Sequence, residues 1–336
     1  MSDLPTRRER RLAQTESAVP ASEPLLPPTV AIDLRAVQER RREVVTGHRH
    51  ADAGPHRHAA RPRRGPAQAH TRIMGILNVT PDSFSDGGLH EAYDAAVAHA
   101  RRLVEGGADL VDVGGESTRP GSERVPVEVE QRRVLPVVRE LVRQGIAVSV
   151  DTMNADTAER SIELGAGIVN DVSGGLADPD MARVIAGTGA GFVVMHWRGH
   201  SDRMYRNAVY ANAVEDVRRE VEQRVAELIV LGVHPDQVVI DPGLGFAKDA
   251  EQNWQILAGY ERFASLGLPV LVAASRKRFL DGIGSAPGAP AAARDTASAA
   301  ISLLAAERGA WGVRVHDPVP TRAVLDVWDA WRAARS

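Results

Sequence analysis

The stretch "IAVSVDTMNADTAERSIELGAGIVNDV", residues 146–172, decides the fold. Its first run, "IAVSVD" (146–151), is apolar and β-branched up to Asp151. The middle, "NADTAERSIELG", has helical period and stops at Gly165, the usual left-handed terminator of a helix. A second β-branched run, "GIVNDV" (167–172), begins at once. A strand, a helix and a strand in so short a span form a βαβ unit with parallel strands. Near-continuous apolar character also marks strands buried on both faces.

The same alternation continues on both sides of this unit. Further strand-like runs are "RIMGILNV" (72–79), "DLVDVGG" (109–115), "GFVVMH" (191–196), "QVVIDPG" (237–243), "PVLVAAS" (269–275) and "WGVRVHD" (311–317). Segments of helical period lie between them, most of them ending in Gly, and a last helix is expected over 321–333. Eight strand–helix units in about 265 residues predict an α/β protein, a (β/α)8 TIM barrel over 71–336. The alternative is a doubly wound open sheet. Its dinucleotide-binding variety wants G-x-G-x-x-G after the first strand, and that motif is absent there.

The composition, 43% hydrophobic and 25% charged over 336 residues, is that of a globular chain. With no cysteine, disulfides, thiolate metal sites and cysteine nucleophiles are excluded together. No apolar run approaches the ~20 residues of a membrane span, and nothing resembles a secretory signal. The expectation is therefore a cytoplasmic protein with no membrane partner. Residues 1–70 carry 13 Arg and no Lys against 8 acidic residues, a net +5. The whole-chain totals of 41 basic and 44 acidic residues leave 28 against 36, a net −8, for the remainder. Arg-, His- and Pro-rich stretches such as "GHRHADAGPHRHAARPRRGP" cannot bury a core, so 1–70 is read as a disordered basic extension. It is read as a solvated tail rather than a nucleic-acid arm or metal-binding tract.

In a barrel of this kind the active site lies at the C-terminal ends of the strands. Polar residues collect there: Asn78, Asp112, Asp151, Asn170 and Asp171, His196, Asp241, then Ser275 with Arg276 and Lys277, and finally Arg314, His316 and Asp317. Asp317 before Pro318 suits a helix cap, and His196 a satisfied core-edge histidine. The others build one pocket. Asp151, Asn170 and Asp241 as acceptors suit a flat nitrogen heterocycle with amidine-like donors, and Lys277 its carbonyl oxygen or ring nitrogen. Asn78, Arg119, Arg314 and His316 form a separate donor set suited to phosphate oxygens.

Two long stretches sharpen this reading. "MGILNVTPDSFSDGG" (74–88) and "DVGGESTRPGS" (112–122) resemble the paired signature motifs of the dihydropteroate synthase family. The likeness continues through "SVDT", "VNDVSGG", "VMHWRG", "DPGLGFAK", "SRKRF" and "RVHD", covering about residues 72–335. It implies condensation of 6-hydroxymethyl-7,8-dihydropterin diphosphate with 4-aminobenzoate, giving 7,8-dihydropteroate and diphosphate for folate synthesis. It implies pterin contacts from Asp151, Asn170, Asp241 and Lys277, with Met195 and Phe246 near the ring. Diphosphate falls to Asn78, Thr118, Arg119, Arg314 and His316, with Mg²⁺ beside Asn78. Ser275, read as the start of the next helix, and Lys277 help hold the aminobenzoate, whose carboxylate suits a helix N-terminus. Phe84 and Pro120 are expected to wall the aminobenzoate ring. Asp82, Thr118 and Arg119 are expected to lock the first two loops over the reacting groups, excluding water. The resemblance further implies a homodimer and inhibition by sulfonamides.

Two positions depart from the family pattern. Ala273 stands in the seventh run and Asp281 after "SRKRFL", both where glycine is expected. The first adds a methyl group beside the pterin, and the second is placed on an exposed loop. The alternatives are a catalytically silent paralogue that binds pterin or regulates, and a methyltetrahydrofolate-binding methyltransferase on the same barrel. The intact loop motifs and Ser-Arg-Lys triplet argue against the first, the Arg314/His316 pair against the second.

Overall fold

The computed structural model describes residues 70–79, 89–116, 124–199 and 208–335. Within them the chain runs β1 (Arg72–Asn78), α1 (Leu89–Glu105), β2 (Leu110–Gly114), α2 (Val127–Arg143), β3 (Val148–Asp151), α3 (Ala155–Glu163), β4 (Ile168–Asp171) and α4 (Met181–Thr188). It continues as β5 (Gly191–Met195), α5 (Ala213–Val230), β6 (Val238–Asp241), α6 (Ala250–Ala258), α7 (Tyr260–Ala264), β7 (Leu271–Val272), α8 (Asp295–Glu307), β8 (Gly312–Val315) and α9 (Pro318–Ala333).

All ladders are parallel, in the order β6-β5-β4-β3-β2-β1-β8-β7. A single bridge, Ile240 to Val270, closes the ring, with the Ile240 amide donating to the Pro269 carbonyl at 2.9 Å. The expected (β/α)8 barrel is therefore present.

Side chains alternate across each strand. One set, including Ile73, Leu77, Val113, Val150, Val169 and Val194, packs outward in the large core shared with the helices. The other faces the barrel axis. There Met74, Leu110, Ile168, Val193, Val239, Leu271 and Trp311 form a separate buried cluster that plugs the barrel. Two residues further along β2, β4, β5 and β6, the same face presents Asp112, Asn170, Met195 and Asp241. The barrel thus changes from apolar to polar within one strand repeat.

Three expectations need correction. The seventh run forms a ladder only at Leu271–Val272. The helical segment before it breaks at Gly259 into α6 and α7. Ser275 does not begin a helix: a three-residue 3₁₀ turn, Arg278–Leu280, follows, and α8 starts only at Asp295. The intervening "DGIGSAPGAP" (281–290) cannot propagate a helix, because glycine and proline both oppose it. Asp281 is exposed there, as expected, and it is bonded: it accepts from the Gly288 amide at 3.1 Å and from Arg294 Nη2 at 3.2 Å.

Candidate active site

The polar layer is organised around Arg314. Its Nε donates to Asp112 Oδ2 at 2.6 Å and its Nη2 to Asp151 Oδ2 at 2.7 Å. Asn170 Nδ2 donates to the same Asp112 oxygen at 2.8 Å. These four residues come from β8, β2, β3 and β4, so the register of half the barrel sets their meeting. Burial pushes the Asp151 carboxyl upward, and the Arg314 guanidinium opposes that shift. Asp112 Oδ1 and Ser149 Oγ, on register-paired residues, are buried with no hydrogen-bond partner among the described residues.

Asp241, at the end of β6, accepts from the Gly243 amide at 2.8 Å through Oδ1. Burial raises its pKa, against the pull of Lys277, Lys248 and Arg314. Lys277 donates to the Leu244 carbonyl, and its Nζ lies 4.7 Å from the centre of the Phe246 ring. Burial lowers the Lys277 pKa to about 8, with Asp241 resisting. Met153, Val172 and Met195 form a small buried cluster against which Phe246 packs, an apolar wall beside the carboxylates. Asp241, Lys277, Met195 and Phe246 thus lie together, an acceptor and a cation beside an apolar wall.

Around the rim, Ser275 Oγ sits 3.0 Å from His316 Nδ1 and accepts from the His316 amide at 3.1 Å. Between Ser275 and Lys277, Arg276 adopts a left-handed φ of 57°. Its guanidinium turns away into a two-bond pair with Asp295, both bonds 2.7 Å. The turn therefore sends Ser275 towards β8 and Lys277 towards β6. Asn78 ends β1, half-buried.

The structure separates residues that looked alike in sequence. Arg314 stands among the carboxylates rather than beside His316 alone, with Nε and Nη2 already engaged. Asp171 follows Asn170 but faces the other way, accepting from the Ser173 amide and hydroxyl and the Gly175 amide. His196 is the satisfied histidine expected, its Nε2 2.9 Å from Glu220 Oε2 and its Nδ1 3.1 Å from Lys248 Nζ. Asp317 caps α9, accepting from the Val319 amide at 3.0 Å. Asp82, Phe84, Thr118, Arg119 and Pro120 lie outside the described residues, as do 1–69 of the basic extension. Two residues had no assigned role in the sequence reading. Asp112 was visible only as a polar interruption of β2. Lys248 was visible as a lysine closing "DPGLGFAK", a charged residue in a glycine-rich strand-end loop.

A closed parallel barrel with a buried carboxylate–cation well at its C-terminal end defines an enzyme acting on a small polar heterocycle. The family described as "Pterin binding enzyme" matches residues 74–316. A dihydropteroate synthase of Mycobacterium leprae is 49% identical over 267 residues, covering 78% of this chain and 94% of that protein. The Xanthomonas albilineans dihydropteroate synthase, solved in complex with 7,8-dihydropteroate, superposes with a TM-score of 0.71 at 40% identity, covering 80% of this chain and 96% of that one. The Yersinia pestis dihydropteroate synthase, solved with a sulfonamide drug, gives 0.74 at 35% identity, covering 82% and 99%. The chain belongs to the pterin-binding enzymes and, among them, to the dihydropteroate synthases.

Proposed function

We infer that this chain joins 6-hydroxymethyl-7,8-dihydropterin diphosphate to 4-aminobenzoate, forming 7,8-dihydropteroate and releasing diphosphate. The observation that carries the inference for this chain is the meeting of buried Asp241 and Met195 with half-buried Lys277 and Phe246 beside the Asp112–Arg314–Asp151–Asn170 network. A carboxylate accepts in pairs from the amino and ring N–H groups of a pterin, and the lysine donates to its carbonyl or ring nitrogen. The apolar pair covers one face of the ring. Asp151, Asn170 and Arg314 complete the rim of the heterocycle.

The reacting carbon lies beyond the ring, towards Ser275, His316 and Asn78. Diphosphate departs as donors from His316 and the Arg314 groups outside the two carboxylate bonds neutralise its oxygens. The methylene left behind shares its positive charge with the electron-rich dihydropterin. The arylamine, neutral near pH 7, attacks that carbon without an activated protein nucleophile. The new C–N bond replaces the broken C–O bond, and the amine proton leaves to water. Ser275 is assigned to the aminobenzoate. Asp82, Phe84, Thr118, Arg119 and Pro120 keep the loop roles that the resemblance implies.

Mg²⁺ belongs to this proposal. Among the described residues no group of three or more His, Asp or Glu is arranged to hold a metal. Asn78 would hold the ion through its side-chain oxygen, with substrate phosphate oxygens as the other ligands, as is common for Mg²⁺. When bound it supplies charge neutralisation of the leaving group.

No helix among the described residues is long and apolar enough to cross a membrane. A cytoplasmic location is proposed on the chemistry of a diphosphate substrate, which does not cross lipid unaided. A homodimer is proposed on the exposed apolar residues Leu304 of α8 and Val319, Val327 and Trp331 of α9. Light scattering of the full chain tests the dimer. The function itself is tested by diphosphate release, which should require both the pterin diphosphate and 4-aminobenzoate. Release without the amine, or none with both present, would overturn the reading.

A further inference from the structure

Lys248 is a buried lysine with no part in the scheme above; burial lowers its pKa to about 7, with Asp241 resisting. It is 2% exposed, and Nζ meets three acceptors: the Gly243 carbonyl at 3.0 Å, the Phe246 carbonyl at 3.1 Å and His196 Nδ1 at 3.1 Å. Three acceptors match the three donors of an ammonium. His196 accepts through Nδ1 only as a neutral ring carrying its proton on Nε2, and Nε2 faces Glu220. Burial keeps the ring neutral, lowering its pKa to about 3. Glu220 is tied in turn to Arg198, whose Nε lies 2.9 Å away. A chain of bonds therefore runs from α5 through His196 to the loop after β6.

That loop has one backbone bond of its own, from the Phe246 amide to the Gly243 carbonyl at 3.1 Å, and leaves the rest to side chains. Residues Gly243, Ala247 and Gly245 have left-handed φ values of 69°, 49° and 74°, so their peptide groups fall outside any ladder or helix. Side chains take up the task. Lys277 donates to the Leu244 carbonyl, Tyr210 to the Ala247 carbonyl at 2.8 Å, and the Gly245 amide donates to Asn253 Oδ1 at 2.6 Å. Lys248 shares the Gly243 carbonyl with the Phe246 amide and holds the Phe246 carbonyl, bracing the turn at both ends.

We propose that Lys248 is a positioning residue of the pterin site. By drawing the Gly243 and Phe246 carbonyls against His196, it fixes the Phe246 ring and the Leu244 carbonyl on which Lys277 rests. This rests on the pterin reading given above.

Calorimetric titration of the full chain with 6-hydroxymethylpterin, and separately with inorganic diphosphate, tests it. Lys248→Met should weaken pterin binding roughly tenfold or more, the scale of a lost buried hydrogen-bond set, while diphosphate binding stays within about twofold. Should that variant fail to fold, two His196 variants carry the test. His196→Asn replaces Nδ1 with an amide oxygen and should bind pterin almost as the unaltered chain does. His196→Leu removes the acceptor and should resemble Lys248→Met. Unchanged pterin affinity in the folded Lys248→Met or His196→Leu variants, or equal losses for pterin and diphosphate, would overturn the proposal. So would equal affinities of His196→Asn and His196→Leu. Failure of the unaltered chain to bind pterin would instead sink the site reading, and this proposal with it.

Discussion

At Arg314 the guanidinium lies between two buried carboxylates, and this changes what its removal does. A residue serving only phosphate could be cut back with little structural effect. Arg314→Ala leaves Asp112 and Asp151 buried without their cation, which costs about 3–5 kcal/mol. Its melting temperature should fall by roughly 6–15 °C, and pterin affinity should fall together with diphosphate affinity. Thermal unfolding with titration checks this, and an unchanged melting temperature would contradict the network. Lys277 offers a test by pH. Its folded pKa of about 8 lies below the usual lysine value, so between the two the unfolded chain holds the extra proton. Stability from this group therefore rises as pH climbs from about 8 towards 10.5. Pterin affinity should move the other way, weakening above about pH 8 as the cation is lost, and Lys277→Gln should lack that step. Much of this was legible: Asp151, Asn170 and Asp241 stand at or near the ends of largely apolar strands. The Arg314 pairs were not, because they span 202 and 163 residues and depend on barrel register. Asn170 and Asp171 are neighbours on β4 and take opposite faces, which the structure makes plain.

Among the elements, the loop after β6 is the most demanding. A Cβ at Gly245 would sit 2.7 Å from Lys277 Cδ, at a φ of 74° that disfavours side chains. Gly245→Ala should therefore cost about 1–2 kcal/mol in backbone strain and displace Lys277. The expected result is a loss of pterin affinity larger than the loss of stability, read by titration beside thermal unfolding. Normal affinity in the Gly245→Ala variant would mean that Lys277 is free to shift. Strand and helix segments were readable because their periods differ and glycine punctuates them. The Ser-Arg-Lys turn was not, since the left-handed Arg276 is held by residues of α8 that lie 19 and 22 positions further along the chain. Asp295 and Ser298 on that helix hold Arg276 through its guanidinium and its amide.

For the whole molecule, contacts just before and at the start of β1 mark where the barrel begins. Thr71 Oγ1 donates to the Ala310 carbonyl at 3.0 Å, the Arg72 guanidinium stacks 5.2 Å from the Trp311 ring, and the Ile73 amide donates to Asp109 at 2.7 Å. A chain starting at Gln68 keeps all of these and every residue assigned to the reaction. It should fold and turn over at the full-length rate. A chain starting at Met74 loses them and should melt at least about 10 °C lower, the effect of several lost buried contacts. Melting temperature and turnover of the two shortened chains decide, and a large loss of turnover on starting at Gln68 would give the basic extension a role.

The single bridge between β6 and β7 has a further consequence. Asp241 and Lys277 stand on opposite sides of that junction, so the barrel's thinnest seam runs through the proposed pterin site. A heterocycle bonded to both acts as a staple across it. Pterin should therefore slow hydrogen exchange at the Ile240 amide, which donates over the seam, more than at Val111 or Val150, whose ladders are intact. Uniform slowing at all three amides would mean that the ligand stabilises the barrel only as a whole. Selective slowing at Ile240 would make the substrate a missing stave, and the enzyme a barrel completed by what it binds.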